Sequence, residues 1–408
     1  MKRGKQEQAS REITWFVLPS EIEDNILSRL PVKSLLRFRC VCKHWCNLVT
    51  NPYFIKMQLN RSNQIKEGLK LVHAYGAEVY CIDVEACRNQ CVETRGQMKI
   101  KMHKELVLPF RDQFKNLFWE VSGSCNGLLC LSTYDGLYLL NPATQEYKRL
   151  PYPKIRFSLK LTVFGFGYSP RTDEYKVVMI IYYYRSEHSV HCDDVYVYTV
   201  GTNSSWRSIG GTEYRIEGTE NWFHYPYHHA LVNGAIHWMA RGKLSFSMAP
   251  ISFDFGDEKF RKLSLPKSFR QEDTTHPMWL AELDGFLSLY QCKVENFNIW
   301  AMKDYGDVQS WTKVFSVANP ILCSIWGLFK PLYILKKDEE VLCESDSGYF
   351  ILDLVKGKIC RLYLRDELYN SSTKIYFESL VSLGADHGSK QERRGKEGGK
   401  LAVEATGD

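Results

Sequence analysis

The chain has 408 residues, 44% hydrophobic and 25% charged, with a formal net charge of +6. That length suits two or three average domains, or one large β domain with an appendage, and that composition excludes wholesale disorder. The small positive charge is spread along the chain, which argues against a dedicated nucleic-acid surface.

The first stretch, MKRGKQEQASREITW, is polar and lacks the apolar core of a signal peptide, so residues 1–13 are expected to form a disordered tail. The longest strongly apolar run, VVMIIYYY (residues 177–184), falls far short of the roughly 20 residues a membrane helix needs. With no membrane contact expected, the 13 irregularly spaced cysteines read as reduced core residues of a soluble protein of the cytoplasm, the nucleus or both.

Three short helices follow. In SEIEDNILSRL, the residues Ile22, Ile26, Leu27 and Leu30 share one helical face. Ser20 with Glu23 three residues later has capping-box spacing, and Pro31 stops the helix by restricting the residue before it. In VKSLLRFRCVCK, the residues Val32, Leu35, Leu36, Phe38, Cys40 and Val41 spread around most of the circumference, so this helix must be covered on more than one side. KHWCNLVT puts Trp45, Leu48 and Val49 on one stripe before Asn51-Pro52. A unit this small is near the lower limit for independent stability. Each Leu or Ile left exposed forgoes roughly 1.5–3 kcal/mol. Two readings compete: an intermolecular surface, or a bundle packed on the rest of the same chain.

This stretch resembles an F-box. The residues that carry the resemblance are Leu18-Pro19, Ile22, Ile26-Leu27, Leu30-Pro31, Ser34-Leu35, Arg37-Phe38-Arg39, Val41-Cys42 and Trp45, without a gap. The resemblance places the F-box at residues 14–60. It implies docking on a Skp-family adaptor, and through it on a cullin and a RING subunit of an SCF-type ubiquitin ligase. The adaptor-facing set expected from it is Leu18, Pro19, Ile22, Ile26, Leu27, Leu30, Pro31, Leu35, Leu36, Val41 and Trp45. Some of these side chains must instead hold the helical unit together.

From residue 61 the pattern changes to apolar bursts such as GLLCLS, GLYLLNP, DVYVYTV, GAIHWMA, FLSLYQC and GYFILDL, set between Gly, Asn, Asp and Pro turns. This predicts an all-β domain. A repeat is visible: YLLNPATQEYKRLP aligns with ISFDFGDEKFRKLSLP and YFILDLVKGKICRLYL. Equivalent positions are Asp83, Asn141, Thr199, Asp254, Ala301 and Asp353, at intervals of 47–58 residues. Kelch-type propeller blades recur at about 50 residues. Six units would fill residues 61–383, and a ring of short sheets disposes of their edges. The expected fold is therefore mainly β, a degenerate kelch-like propeller of about six blades behind a small three-helix F-box. A β-sandwich or incomplete barrel stays open, since no repeat carries a Gly-Gly pair. GSCNGLLCLSTYDGLYLLNPATQEYKRLP, FGFGYSPRTDEYKVV and ALVNGAIHWMA together resemble the F-box-associated domain of plant F-box proteins, of the S-locus F-box-like and F-box/kelch-like type. That resemblance implies a domain that recognises a protein to be ubiquitinated. The charged, glycine-rich residues 384–408 are expected to be disordered, and KQERRGK within them is either a nuclear signal or a solvated charge cluster.

No enzyme signature emerges. Gly165-Phe166-Gly167 lacks the rest of a phosphate loop. Cys40, Cys42 and Cys46, and likewise Cys87 with Cys91, lack a second ligand pair at zinc spacing. His224, His228 and His229 could suggest a metal, but the plainer reading is a loop rich in aromatic tips, which suits protein binding. No cofactor or metal is expected. The candidate target-reading residues are Trp222, Phe223, Tyr225 and Tyr227, four aromatics around Pro226, with residues 183–194 and 269–279 as further candidate loops. Three functions remain: a non-catalytic ligase adaptor that captures an unidentified protein, an enzyme on a propeller scaffold, and an F-box adaptor acting outside the ligase.

Overall fold

The computed structural model describes residues 19–65, 68–89, 103–106, 108–109, 118–133, 136–153, 160–186, 189–201, 204–216, 229–242, 247–267, 269, 278–292, 296–317, 330–336, 339–345, 348–355, 358–362 and 372–384. The chain divides into two compact units, residues 1–65 and 66–408.

The first unit is helical: α1 (Ser20–Leu27), α2 (Val32–Phe38), α3 (Lys43–Thr50) and α4 (Pro52–Ile65). Pro19 and Pro31 stand at the N-caps of α1 and α2, where a fixed φ aims the chain into the helix. The expected capping box does not form. Ser20 lies inside the helix rather than at its cap, and the Glu23 carboxylate is engaged with α3. The second helix stops at Phe38, short of the predicted run. Cys42 takes an extended conformation to cap α3, its Sγ accepting the Trp45 N–H at 3.4 Å. Asn51-Pro52 ends α3 but also opens a fourth helix. Asn51 Oδ1 accepts the Tyr53 N–H at 2.8 Å, and proline suits the first helical position. That helix runs to Ile65.

The second unit is built of strands. They are β1 (Lys70–Tyr75), β2 (Glu78–Asp83), β3 (His103–Glu105), β4 (Glu120–Cys125), β5 (Leu128–Thr133), β6 (Gly136–Asn141), β7 (Glu146–Leu150), β8 (Lys160–Ser169), β9 (Glu174–Ser186), β10 (Ser189–Thr199), β11 (Trp206–Gly210), β12 (Tyr214–Ile216) and β13 (Ala230–Val232). There follow β14 (Ala235–Gly242), β15 (Met248–Asp254), β16 (Lys259–Lys262), β17 (Met278–Leu283), β18 (Phe286–Cys292), β19 (Phe297–Met302), β20 (Trp311–Val317), β21 (Lys330–Lys336), β22 (Glu340–Ser345), β23 (Gly348–Asp353), β24 (Lys358–Leu362) and β25 (Ser372–Tyr376). A short helix, α5 (Val84–Asn89), follows β2. Among the described residues these strands form six antiparallel sheets. The first strands of successive sheets pack against one another around an axis, so the sheets are blades of a six-bladed propeller. The expected architecture is the one observed, and the sandwich and barrel alternatives fall away.

The ring closes by a non-local pairing. β25 is the inner strand of the first blade, antiparallel to β1 from Lys70↔Tyr376 to Ala74↔Ser372. Core packing lies between blades, so both faces of each sheet are buried and alternation of apolar with polar residues is lost. On β9, Val178, Ile180 and Tyr182 join the cluster shared with the fourth blade, while Met179, Ile181 and Tyr183 pack on the other face. This accounts for the unbroken run VVMIIYYY. Glycines on β8 admit the neighbouring blade: a Cβ on Gly167 would lie 2.3 Å from a Phe255 ring carbon.

The repeat positions have a common structural meaning. Asp83, Asn141, Thr199, Asp254 and Asp353 each end the third strand of a blade, and Ala301 lies one residue before that end. Four of these six side chains accept backbone N–H groups of the following turn: Asp83 from Ala86, Asn141 from Ala143 and Thr144, Asp254 from Gly256 and Asp257, and Asp353 from Val355. In four of the six blades the repeat is therefore a side-chain cap on the connection that leaves the third strand.

Candidate functional site

Two regions were singled out by sequence, and they are described separately. In the helical unit, Leu27, Val32, Leu35, Val49 and Phe54 are buried. Trp45 closes one side. Its ring lies 5.1 Å from that of Phe38, and its indole N–H donates to Glu23, whose other carboxylate oxygen is 3.0 Å from His44 Nε2. Arg61 Nη1 donates to Asn25 O at 2.6 Å and Ser28 Oγ at 2.8 Å, fastening α4 to α1. Helices with few turns thus gain a fixed geometry from polar ties around a small core.

The expected adaptor-facing set divides on this frame. Leu27 and Leu35 are core residues; Leu30, Leu36 and Trp45 are half-buried; Pro19, Ile22, Ile26, Pro31 and Val41 face outward; Leu18 lies outside the described residues. Ile22 is 48%, Ile26 50% and Val41 62% exposed. Ile22 and Ile26 are one helical turn apart and therefore neighbours on the surface of α1. Tyr53, 72% exposed, was missed because no fourth helix was expected. The Asn51-Pro52 pair was the available signal for it.

In the propeller, Trp222, Phe223, Tyr225 and Tyr227 lie outside the described residues, as do His224 and His228. The flanking strands show where their segment is rooted. β12 and β13 both pair with β14, through Ile216↔Ala240 and Ala230↔His237, so the described residues on either side both belong to the inner edge of the fourth blade. Residues 183–194 are not an open loop. β9 and β10 pair out to Ser186↔Ser189, and Tyr183 OH donates to Asp194 Oδ2 at 2.8 Å across the ladder. The tyrosine-rich sequence extends a hairpin because both strands have partners. Of residues 269–279, Phe269 packs on Trp300 at 4.6 Å, Trp279 stacks on Tyr290 at 5.6 Å, and 270–277 lie outside the described residues.

Charged groups also gather where inner strands meet at the ring closure. Lys330 on β21, Lys374 on β25, Glu120 on β4 and Glu344 on β22 are mutually close. Lys330 Nζ is 3.6 Å from Glu344 Oε2, and Glu344 also accepts from the Thr373 hydroxyl. Burial pushes the Lys374 amine down to about 7; Lys330 acts the same way, and Glu120 and Glu344 oppose it. Burial raises the Glu120 carboxyl, against Lys374 and a hydrogen bond from Ser132. Elsewhere burial pushes the Cys125 thiol up to about 12 and raises Cys130 and Cys343. The attacking form of cysteine is the thiolate, so these thiols are shifted opposite to an activated nucleophile. Among the described residues no three His, Cys, Asp or Glu side chains are placed to hold a metal.

A helical unit with outward isoleucines, joined to a closed ring of blades, defines a protein built from a small helical unit and a β-propeller. Comparison with known families agrees: residues 15–57 match the F-box domain and residues 71–383 the F-box associated beta propeller domain. The chain belongs to the F-box proteins that carry this propeller. Relatives span nearly the whole chain. They include the Arabidopsis thaliana F-box protein At3g07870 (29% identical, covering 90% of this chain and 91% of the relative) and F-box protein CPR1 (28%; 89% and 88%) from the same plant. F-box/kelch-repeat protein At3g23880, also from Arabidopsis thaliana, is 28% identical over 90% of this chain and 95% of its own. Among the described residues no helix is long and apolar enough to cross a membrane.

Proposed function

We propose that this chain is the target-recognition subunit of an SCF-type ubiquitin ligase. In this reading residues 14–60 dock on a Skp-family adaptor, which links the chain to a cullin and a RING subunit. Residues 61–383 hold a target protein for ubiquitination and degradation, with 1–13 and 384–408 as tails. The chain itself is non-catalytic. It raises the local concentration of target beside the transferring subunits, and bringing reactants together is a rate effect in its own right. Such an assembly works in the cytoplasm, the nucleus or both, without cofactor or nucleic acid. The observation that carries the reading is the outward display of Ile22, Ile26 and Val41 from helices whose own core is already filled.

The docking surface under this proposal is Pro19, Ile22, Ile26, Pro31 and Val41 with Leu18. Leu27 and Leu35 act through folding, and Leu30, Leu36 and Trp45 frame the edge. Trp222, Phe223, Tyr225 and Tyr227 are the proposed target readers, since aromatic side chains dominate interface energetics. The test is capture of a Skp-family adaptor by full-length chain. Ile22→Asp with Ile26→Asp should weaken capture at least about tenfold while far-ultraviolet circular dichroism and melting stay unchanged, because the two side chains are half exposed. Undiminished capture by the folded double variant would reject the docking surface.

A further inference from the structure

After β25 closes the ring, residues 377–384 continue without regular secondary structure. They are not loose: Ser379, Leu380, Val381 and Leu383 are buried. They lie against turns of the second blade, reached from the far end of the sequence. Ser379 Oγ donates to Asn126 O at 2.7 Å in the β4–β5 turn. Asn141 Nδ2, at the end of β6, donates to Ser379 O at 3.1 Å and to Val381 O at 2.7 Å. The Leu383 N–H donates to Glu146 Oε2 at 3.0 Å at the start of β7. Lys70 on β1 pairs with Glu378. Gly127, at φ +77°, leaves the space the segment fills, since a Cβ there would lie 2.2 Å from Ser379 Oγ.

We propose that residues 377–384 are a second clasp of the propeller, separate from the β25–β1 ladder, and that the carboxamide of Asn141 is what assigns the clasp to the second blade. The comparison between blades carries this. Asp83, Asn141, Asp254 and Asp353 each use a side-chain oxygen to cap the turn after a third strand. A carboxylate serves that purpose equally well. Only a carboxamide also offers two N–H donors. At Asn141 both are used, on the carbonyls of Ser379 and Val381, two residues apart. The side chain is wholly buried, so a carboxylate in its place would keep the turn but face two carbonyl oxygens without water. The clasp recognises main chain, with Leu380, Val381 and Leu383 adding apolar burial. From Ser379 onward it can open while the ring stays closed, because those contacts are with the second blade, whereas Phe377 and Glu378 still touch Tyr333 and Lys70 beside the ring's ladder.

Hydrogen exchange on the full-length chain tests this. In Asn141→Asp, the Leu383 amide should exchange at least about tenfold faster, the loss expected from two buried hydrogen bonds, while the amides of the β25–β1 ladder keep their protection. Asp353→Asn, the reverse exchange at the equivalent turn of the sixth blade, should leave Leu383 unchanged. If Asn141→Asp does not fold, Ser379→Ala, which removes the contact with Asn126, gives the same reading at Leu383. Unaltered exchange at Leu383 in the folded variants would overturn the proposal. So would equal loss of protection in the clasp and the ladder, since the clasp would then not be a separate unit.

Discussion

At Lys374 a single amine reports on the environment of the ring closure. Its pKa falls to about 7 in the folded chain, against about 10.4 for an exposed lysine. Between those values the unfolded chain binds more protons than the folded one. Stability from this group therefore rises as pH increases from about 7 towards 10. Buried thiols and phenols with raised pKa work in the opposite direction, so the useful quantity is a difference. Lys374→Met should be more stable than the parent at pH 7, and the gap should narrow by pH 9.5, measured by denaturant melts at both values. Trp45 offers a second case. Trp45→Phe keeps the contact with Phe38 but loses the donor to Glu23, and should destabilise the helical unit by about 1 kcal/mol. Trp45→Ala should cost about 3–5 kcal/mol. The residue scale was the least legible from sequence. Helical period placed Ile22, Ile26, Leu27 and Leu30 on one face, yet Leu27 is buried while Ile22 and Ile26 are exposed. A wheel locates an apolar stripe, but which edge of it is covered is decided by packing within the helical unit, which buries Leu27 and leaves Ile22 and Ile26 outside.

Elements were legible where the physics is local. The third-strand turns could be aligned in sequence because each needs a short side-chain acceptor at a fixed offset. Ala301 broke the rule, and its alignment missed the strand end by one residue. There the following connection is long and carries a short helical turn at Val308–Ser310 in place of a capped hairpin. The unbroken apolar run on β9 was legible as a strand, but not as one buried on both faces, because what covers it belongs to other blades. Gly167 shows the same limit: its spacing in FGFG looks like a ligand loop, and only the neighbouring Phe255 explains it. Gly167→Ala should destabilise the propeller by about 1–3 kcal/mol, since the added methyl would displace the buried Phe255 ring and the Leu231 side chain. A thermal melt shifted downward by several degrees is the expected reading. The segment behind β25 depends on partners far along the chain, and no local pattern announces it.

For the whole molecule, closure through β25 makes the propeller's cooperativity depend on residues near its end. A chain ending at Gly384 should melt like the full chain. A chain ending at residue 371 loses both β25 and the clasp, and should show no cooperative transition by calorimetry. The pairing of β1 with β25 also sets an order of events during synthesis. The last residue of the helical unit, Ile65, is made about 300 residues before β25 begins at Ser372. At roughly 5–20 residues per second that is on the order of 15–60 s. For that interval the outward isoleucines of α1 have been synthesised while the ring has no means of closing. A premature stop anywhere in that span releases a chain with its helical unit and an open, unclosed ring. Under the proposed adaptor-docking function, such a fragment would hold the adaptor with no closed propeller to present a target, so truncated chains should compete with the intact chain rather than simply be lost.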